Sequence, residues 1–488
     1  MKELKSFFKD TAIYGLASVL PRIINFALVA VYTKVFDTAQ FSSQTQWYVY
    51  AAFINVILTL GLETSFFRFY ATETNKDKVI STSYIILTVS SVIFLIAGLV
   101  SSGFSYSYFG FEDSLFLKIL IWTTVFDTLV VIPFALLRVS GRPVKFMVLK
   151  LANVLFLAVL TIILLIWIPS VAHQEYIWLK ILGIDKNYTP DIIHIFIANV
   201  AASLFTLLCV IPEMTKIKWV FDKEILRKLL QYGLPIMVGG LAYVINENID
   251  KLIIPTFAGE DANGIYSACY KLGVFMTLYI TAFRMGAEPF FFNQAGKSDS
   301  KQKYSTIMTW FVIFGCVVIL CVVGFVDLIA GVFLRQKTYL QGLSIVPIIL
   351  LANLFSGIYN NLAIWYKLTD KTKTGMYISI LGAMVTIGSL IVFVPNMGIM
   401  GGAIATLFTY ATMASVSYFL GRKYYPVPYD VAKILSFMVV TALLCWISFI
   451  YFRGQYLVNL LIIAAFISVI LKTEYTTLKA LISKSPKE

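Results

Sequence analysis

The chain has 488 residues, of which 59% are hydrophobic and only 13% are charged. Its mean hydropathy is +0.83. No water-soluble domain can bury so large an apolar fraction, so the composition indicates a polytopic membrane protein. The formal net charge of +13 does not indicate nucleic acid as a partner, because the basic residues lie in short loops between apolar runs and form no compact basic arm.

Apolar runs of membrane-spanning length recur along the whole chain, and we number them as spans 1 to 14. Their bounds are 11–36, 46–70, 79–102, 115–138, 147–169, 191–212, 232–257, 264–285, 305–327, 342–366, 375–394, 399–420, 431–451 and 456–471. We therefore predict an all-α integral membrane protein with about 14 transmembrane helices.

The lysines and arginines of the connecting loops predict the orientation of the chain. The set of alternate loops that includes both termini holds 25 of them, and the opposite set holds 5. Since positively charged loops stay on the cytoplasmic side, we expect both termini in the cytoplasm and an even number of helices.

Weak internal repeats divide the chain into two halves. Tyr-Gly-Leu opens both span 1 (14–16) and span 7 (232–234), and the basic loops at 137–146 and 366–377 occupy matching places. The offset stays between 216 and 229 residues, which predicts two six-helix lobes related by a pseudo-twofold axis. We expect the following parts: an N-terminal lobe at 1–212, a cytoplasmic amphipathic linker helix at 213–231, a C-terminal lobe at 232–420, two additional helices at 431–471 and a cytoplasmic tail at 472–488.

Span 1 carries a charged residue near its middle. At about 1.5 Å per residue, Arg22 lies roughly 16 Å from the start of this span, close to the centre of a hydrocarbon core about 30 Å thick. A cation at that depth costs about 2.5–3.5 kcal/mol, so it should face a wet cavity. Arg22 and Asn25 share one helical face, and we expect this face to line a path for an anion.

Span 7 is the most polar of the fourteen. Asn246 and Asp250 follow one face, and Glu247 precedes Lys251 by four residues, the order that favours a helical ion pair. This group is either a neutralised structural pair or a site for substrate or a coupling cation.

Three other spans hold isolated polar residues. Asp127 in span 4 either neutralises Arg22 or titrates as a coupling group. Lys271 in span 8 either lines the cavity or extends to the membrane surface. Asn353 and Asn360 in span 10 suit sugar hydroxyls and interhelical hydrogen bonds equally well.

Two charged pairs occupy matching inner ends of the halves, Glu63 with Arg68 and Arg284 with Glu288. They are either interfacial anchors or salt bridges of an inner gate that break and re-form as the lobes move.

No pattern in the sequence indicates catalysis or a metal. The five cysteines all lie in apolar runs without metal-ligand spacing, and the chain has no Walker glycine loop, no Gly-x-Ser-x-Gly and no HExxH. We therefore expect no enzyme activity, no metal site and no cofactor other than a coupling H⁺ or Na⁺.

Several stretches together resemble a known family. They are YGLASVLPRIINF (14–26), LGLETSFFRFY (60–70), LLRVSGRPVKF (136–146), LPIMVGGLAYVINENIDKLII (234–254), GIYSACYKLGVFMTLYITAFRMGAEPFFFN (264–293), WYKLTDKTKTGMYISI (365–380) and GIMGGAIATL (398–407). The chain resembles the polysaccharide-transporter branch of the MOP superfamily, the Wzx-type O-antigen and capsule flippases, which are related to the lipid II flippase and to MATE exporters.

The resemblance implies two six-helix lobes around a cationic cavity, plus two extra helices. Position by position, it implicates Arg22 as the cavity cation of span 1, followed by Arg68, Lys271 and Arg284. The charges of span 7 exceed what the branch's pattern needs.

The function implied is translocation of a lipid-pyrophosphate-linked oligosaccharide across the bacterial inner membrane by alternating access, for O-antigen or capsule biosynthesis. Membrane lipids and other polysaccharide-assembly membrane proteins are the expected partners. The alternatives are a cation-coupled multidrug exporter of MATE type, a lipid II flippase and a non-transporting scaffold of a glycan-assembly complex.

Overall fold

The computed structural model describes residues 2–172, 188–369 and 371–475. Thirteen helices in these ranges are long and apolar enough to cross a membrane. We number them 1–7 and 9–14: Lys2–Val35, Thr38–Thr72, Lys76–Phe109, Ser114–Val139, Pro143–Ala172, Ile193–Met214, Lys223–Asn248, Ser300–Gly324, Lys337–Leu368, Thr372–Met397, Ile399–Tyr424, Val431–Tyr451 and Tyr456–Thr473. Most of the expected cytoplasmic tail at 472–488 lies outside the described residues.

The predicted span 8 is present as an interrupted helix, which we call helix 8. It consists of Glu260–Tyr270, a 3₁₀ turn at Lys271–Gly273, and Val274–Gln294. The all-α fold with about fourteen helices is therefore confirmed. Helix 7 continues after a one-residue break as a short helix, Asp250–Ala258.

Several helices begin where a short polar side chain caps the first turn. Asp37 accepts a hydrogen bond from the backbone N–H of Gln40, and Asn75 accepts one from that of Lys78. Such caps satisfy backbone donors that have no partner within the helix. These polar residues therefore set the starts of helices 2 and 3.

The two lobes have matching packing. Helix 1 packs on helix 5, and helices 4 and 5 pack on helix 6; in the second lobe, helix 7 packs on helix 11, and helices 10 and 11 pack on helix 12. Each pair recurs six helices later, as the pseudo-twofold arrangement of two six-helix lobes requires. Helices 13 and 14 pack on helix 9, where Asn459 Nδ2 donates to the Gly324 carbonyl at 2.9 Å.

The linker between the lobes differs from the prediction. Residues 215–222 are not helical, and the helix that follows begins at Lys223 and continues into helix 7. The backbone N–H of Val220 donates to Ser81 Oγ at 2.7 Å. Because hydroxyl groups of helix 3 satisfy the linker backbone, this segment needs no helix of its own. The predicted amphipathic helix over 213–231 is therefore wrong.

The lobes contact each other at both ends of the bundle. We call the end with the loops after even-numbered helices the terminal face, and the other end the opposite face. On the opposite face, Thr38 donates to the Asp261 carboxylate, and Glu260 Oε2 accepts from Ser42 Oγ at 2.5 Å and from Gln46 Nε2 at 2.7 Å. Toward the terminal face, helices 2 and 7 approach closely at two glycines, where a Cβ on Gly233 would lie 2.5 Å from the Leu60 carbonyl oxygen. The space between the lobes therefore lies between two contact regions.

Candidate functional site

Two neighbouring cavities that share part of their lining lie between the lobes, and we call them compartments of one central cavity. The first, the arginine compartment, has a volume of about 420 Å³ and is lined by residues of helices 1, 7, 8 and 10. The second, the amide compartment, has a volume of about 500 Å³ and lies mainly among helices 1, 2, 4, 5 and 6. Asn25, Tyr270 and Lys271 line both, so they mark the junction.

Arg22 lies in the arginine compartment on helix 1, directly after Pro21. Its side chain is exposed, and Nη1 donates to Thr281 Oγ1 of helix 8 at 2.7 Å. Among the described residues no carboxylate oxygen lies within 4.0 Å of its guanidinium. The positive charge is therefore available to an anionic ligand, and Thr281 takes up only one of its five N–H donors.

The interruption of helix 8 places a second cation in the cavity. Lys271 begins the 3₁₀ turn, and its Nζ lies 4.7 Å from the centre of the Phe41 ring of the other lobe. In the part of the chain that the structure describes, its ammonium has no ion-pair partner. Lys271 thus lies at the junction of the compartments instead of extending to the membrane surface, the alternative considered from the sequence.

Of the four predicted asparagines, Asn25 and Asn353 line the arginine compartment, with Asn353 only 4% exposed. Asn246 does not. Its Nδ2 donates to the Ser379 carbonyl at 3.1 Å, and its Oδ1 accepts from Thr386 Oγ1 at 3.1 Å, both on helix 11. Asn246 therefore joins helices 7 and 11 within the second lobe, and its prediction as a cavity residue is wrong.

The charges of helix 7 pair differently from the prediction. Lys251 Nζ lies 2.8 Å from Asp250 Oδ1, and it also donates to the backbone carbonyl of Glu247 at 2.8 Å. Tyr266 donates to the second Asp250 oxygen at 2.6 Å. The expected ion pair between the Glu247 and Lys251 side chains is wrong, because the neighbouring Asp250 takes the lysine.

Glu247 instead accepts a hydrogen bond from Tyr410 of helix 12 and lines the arginine compartment. Asp250 and Lys251 are 4% and 6% exposed, and Lys251 contributes to the lining of the amide compartment. Glu247 is thus the carboxylate that helix 7 contributes to the wall of the arginine compartment.

Asp127 lines the amide compartment. Among the described residues no lysine or arginine nitrogen lies within 4.0 Å of its carboxylate, so it does not neutralise Arg22. Helix 4 packs on helices 3 and 6, whereas helix 1 packs on helix 5. This separation within the lobe keeps Asp127 and Arg22 in different compartments.

The candidate gate residues lie toward the terminal face. Glu63 pairs with Arg138 at 2.8 Å and not with Arg68, whose guanidinium lies 4.4 Å from the centre of the Tyr232 ring. The other expected pair is present, with Arg284 Nη2 at 3.8 Å from Glu288.

Glu288 also receives a hydrogen bond from Lys367 of helix 10, and Asn360 lies beside this group. Asn360 is therefore outside the central cavity. The clusters join helices of one lobe, apart from Arg68, which contacts Tyr232 of helix 7.

The sequence analysis missed several cavity residues: Tyr48, Asn153, Asn199, Tyr270 and Thr277. Asn153 and Asn199 are single amides in otherwise apolar spans, which is a signal for an inward-facing position. Tyrosines carry no such signal, because aromatic belts at the membrane interface use the same residue type.

Within the described ranges no group of three or more histidine, cysteine, aspartate or glutamate side chains could hold a metal ion.

Comparison with known proteins agrees with this geometry. The model of the family described as polysaccharide biosynthesis protein matches residues 7–294, and the MatE model matches residues 235–393. An uncharacterized membrane protein of Methanocaldococcus jannaschii is 22% identical over 257 residues. The chain spans about half of the length of that relative, 50% of each being covered.

Two solved structures share the fold. The lipid II flippase MurJ in an inward closed conformation superposes with a TM-score of 0.73 at 15% identity, covering 95% of this chain and 99% of that one. An inward-facing MATE multidrug transporter superposes with a TM-score of 0.67 at 13% identity, covering 88% and 98%. The chain therefore belongs to the polysaccharide biosynthesis protein family and is a multi-pass membrane protein with the fold of these two structures.

Proposed function

We propose that the protein moves a lipid-pyrophosphate-linked oligosaccharide from the inner to the outer leaflet of a bacterial inner membrane, for the synthesis of O-antigen or capsule. The observation that carries this proposal is the cationic cavity, in which Arg22 and Lys271 have no carboxylate partner among the described residues. A pyrophosphate supplies the matching anion, because guanidinium–phosphate contacts are charge-assisted and can be bidentate.

The cycle that we propose is alternating access, with both termini in the cytoplasm. The contacts on the opposite face would separate while those on the terminal face tighten, which would expose the cavity to each leaflet in turn. An inside-negative potential would assist export of an anion by about 2.3 kcal/mol per charge per 100 mV if the charge crosses the whole field. This is transport without catalysis, and H⁺ or Na⁺ is the only coupling species that we consider.

A cation-exporting drug transporter is a poorer match to the cavity. Organic cations would meet the positive charges of Arg22 and Lys271 with one carboxylate, Glu247, beside them, and like charges in a low-dielectric cavity repel strongly. The lipid II flippase alternative shares the pyrophosphate anion, so it differs from the leading proposal only in the attached saccharide.

The test is export in a host strain that lacks the chromosomal copy of the gene. We expect Arg22→Ala to reduce surface polysaccharide at least about tenfold, because one charge-assisted contact contributes about 1.5–3 kcal/mol. Arg22→Lys should retain part of the activity, since it keeps the charge and loses the bidentate geometry. Arg227→Ala is the matched control, because Arg227 is an exposed arginine outside the cavity.

Membrane levels of each variant are measured by immunoblotting and their monodispersity by size-exclusion chromatography. Normal surface polysaccharide in a folded Arg22→Ala variant would refute the proposal. A second arm uses proteoliposomes with a defined lipid-linked oligosaccharide, with and without H⁺ and Na⁺ gradients, to identify the coupling ion.

A further inference from the structure

The amide compartment differs in chemistry from the arginine compartment that it joins. Its lining is rich in amide and hydroxyl groups, and its volume of about 500 Å³ lies within the usual range of small-molecule pockets. It opens onto the junction formed by Asn25, Tyr270 and Lys271. A ligand bound at Arg22 and Lys271 would therefore have the amide compartment directly beside it.

The amides of this compartment present oxygen atoms to the cavity. Asn199 Nδ2 donates to Tyr48 Oη at 2.7 Å and to a backbone carbonyl one turn earlier at 2.8 Å. Asn153 Nδ2 donates to Thr206 Oγ1 at 2.7 Å and to a helix 6 carbonyl at 3.0 Å. Both hydrogens of each amide are used, and across the described ranges neither Oδ1 receives a hydrogen bond. Each amide thus acts as an acceptor toward a ligand.

Asp127 adds a carboxyl group to the same wall, where it interacts with the Ser203 side chain and with the charge of Lys150. Lys251, which also lines this compartment, donates to Asp250 and to the Glu247 carbonyl. Of the described residues, only Lys271 brings an unpaired positive charge to this lining, and it lies at the junction. The compartment is therefore cationic where it meets Arg22 and acceptor-rich in its interior.

This separation of charge selects between kinds of saccharide, provided that the proposed function holds. We propose that the amide compartment binds the sugar units next to the pyrophosphate, and that it accepts uncharged sugars with hydroxyl or acetamido donors and rejects acidic sugars. Hydroxyl and amide N–H groups would donate to Asp127, Asn153 and Asn199. A uronic carboxylate would face the Asp127 carboxylate and acceptor oxygens that offer it no proton.

The experiment compares two substrates in proteoliposomes that contain the full-length protein. Both are polyprenyl-diphosphate disaccharides, with N-acetylglucosamine next to the diphosphate in one and glucuronic acid in the other. We expect the wild-type protein to flip the neutral substrate at least about tenfold faster than the acidic one. The reason is that repulsion between like charges at close range in a protein interior lowers the binding affinity by more than about tenfold. In the isosteric variant Asp127→Asn, the ratio should fall below about threefold, chiefly through faster movement of the acidic substrate.

Asp299→Asn is the control, since Asp299 lies on the terminal face and pairs with Lys303 at 2.8 Å. It should leave the ratio unchanged. Equal wild-type rates for the two substrates would overturn the assignment, and this comparison does not depend on any variant folding. Loss of transport of both substrates in Asp127→Asn alone would also overturn it, because Asp127 would then serve ion coupling. If the wild-type protein moves neither substrate, the proposed function itself fails, and the assignment fails with it.

Discussion

A substitution at Gly264, in the first part of helix 8, tests the contact between the two lobes on the opposite face. Gly264 packs against the start of helix 2, where a Cβ would lie 2.6 Å from the Thr38 carbonyl carbon and nearer still to its oxygen. The obstructing atoms are backbone, so they cannot move without the helix. Gly264→Ala must therefore separate helices 2 and 8 on the opposite face.

The size of the effect follows from the hydrogen bonds that are lost when helices 2 and 8 separate. Overpacking costs about 1–3 kcal/mol. The bonds from Thr38 to Asp261 and from Ser42 and Gln46 to Glu260 each involve a carboxylate, and such bonds contribute about 1.5–3 kcal/mol. Loss of one of them changes the ratio of closed to open states by about tenfold or more. We therefore expect Gly264→Ala to favour the state that is open on the opposite face.

Pulsed electron paramagnetic resonance in lipid measures this change. Spin labels replace the exposed Lys34 and Lys337, one in each lobe at the opposite face, in a background without native cysteines. Gly264→Ala should lengthen the distance between the labels and lower the transport rate. Gly286→Ala is the matched control, because nothing lies within 4 Å of its added Cβ on the same helix. An unchanged distance distribution in Gly264→Ala, or an equal change in Gly286→Ala, would refute the reasoning.

Two further predictions concern stability. Lys78 beside Asp222 lowers the pKa of that carboxyl from its usual 3.8, so the contact stabilises the fold above that pH and is lost as the pH falls through the lower folded value. Asp222→Asn should thus lower the melting temperature at pH 7, and the difference from wild type should shrink as the pH falls below 3.8. A difference that stays constant with falling pH would contradict the assignment. Asn459→Ala should cost about 1–3 kcal/mol in a detergent thermal melt, because the Gly324 carbonyl and the Ser448 hydroxyl lose the partner that Asn459 provides. Asn396 is exposed, so Asn396→Ala should leave the melting temperature unchanged. Equal melting temperatures for Asn459→Ala and Asn396→Ala would contradict this prediction.

The helices and the two lobes were predictable because membrane insertion leaves long apolar runs and a strong lysine and arginine bias. The depth of Arg22 in span 1 was predictable for the same reason, since a charged residue within an apolar span must face a protein interior or a water-filled cavity. The interruption of helix 8 at Lys271 could not be predicted from the sequence. Its 3₁₀ turn carries no proline, and it packs closely on helix 10, where a Cβ on Gly273 would lie 2.8 Å from Asn353 Nδ2.

The pairing of charges was less predictable than their presence. The sequence rule for Glu247 and Lys251 assumes one continuous helix, whereas helix 7 breaks between Asn248 and Asp250. Because of this break, the Asp250 carboxylate lies 2.8 Å from the ammonium of its neighbour Lys251, and this lysine therefore pairs with Asp250 and not with Glu247. Glu63 similarly pairs with Arg138, a residue 75 positions away that no local spacing rule could identify.

The hydrogen bond from Arg22 to Thr281 has a consequence for energy coupling. It connects helix 1 of one lobe to helix 8 of the other, so an anion that draws the guanidinium away also weakens a tie between the lobes. By thermodynamic reciprocity, whatever pulls the lobes apart at that point must raise the affinity of the freed guanidinium for the anion by the same factor. Binding of the anion and separation of the lobes at this point are then two parts of a single equilibrium.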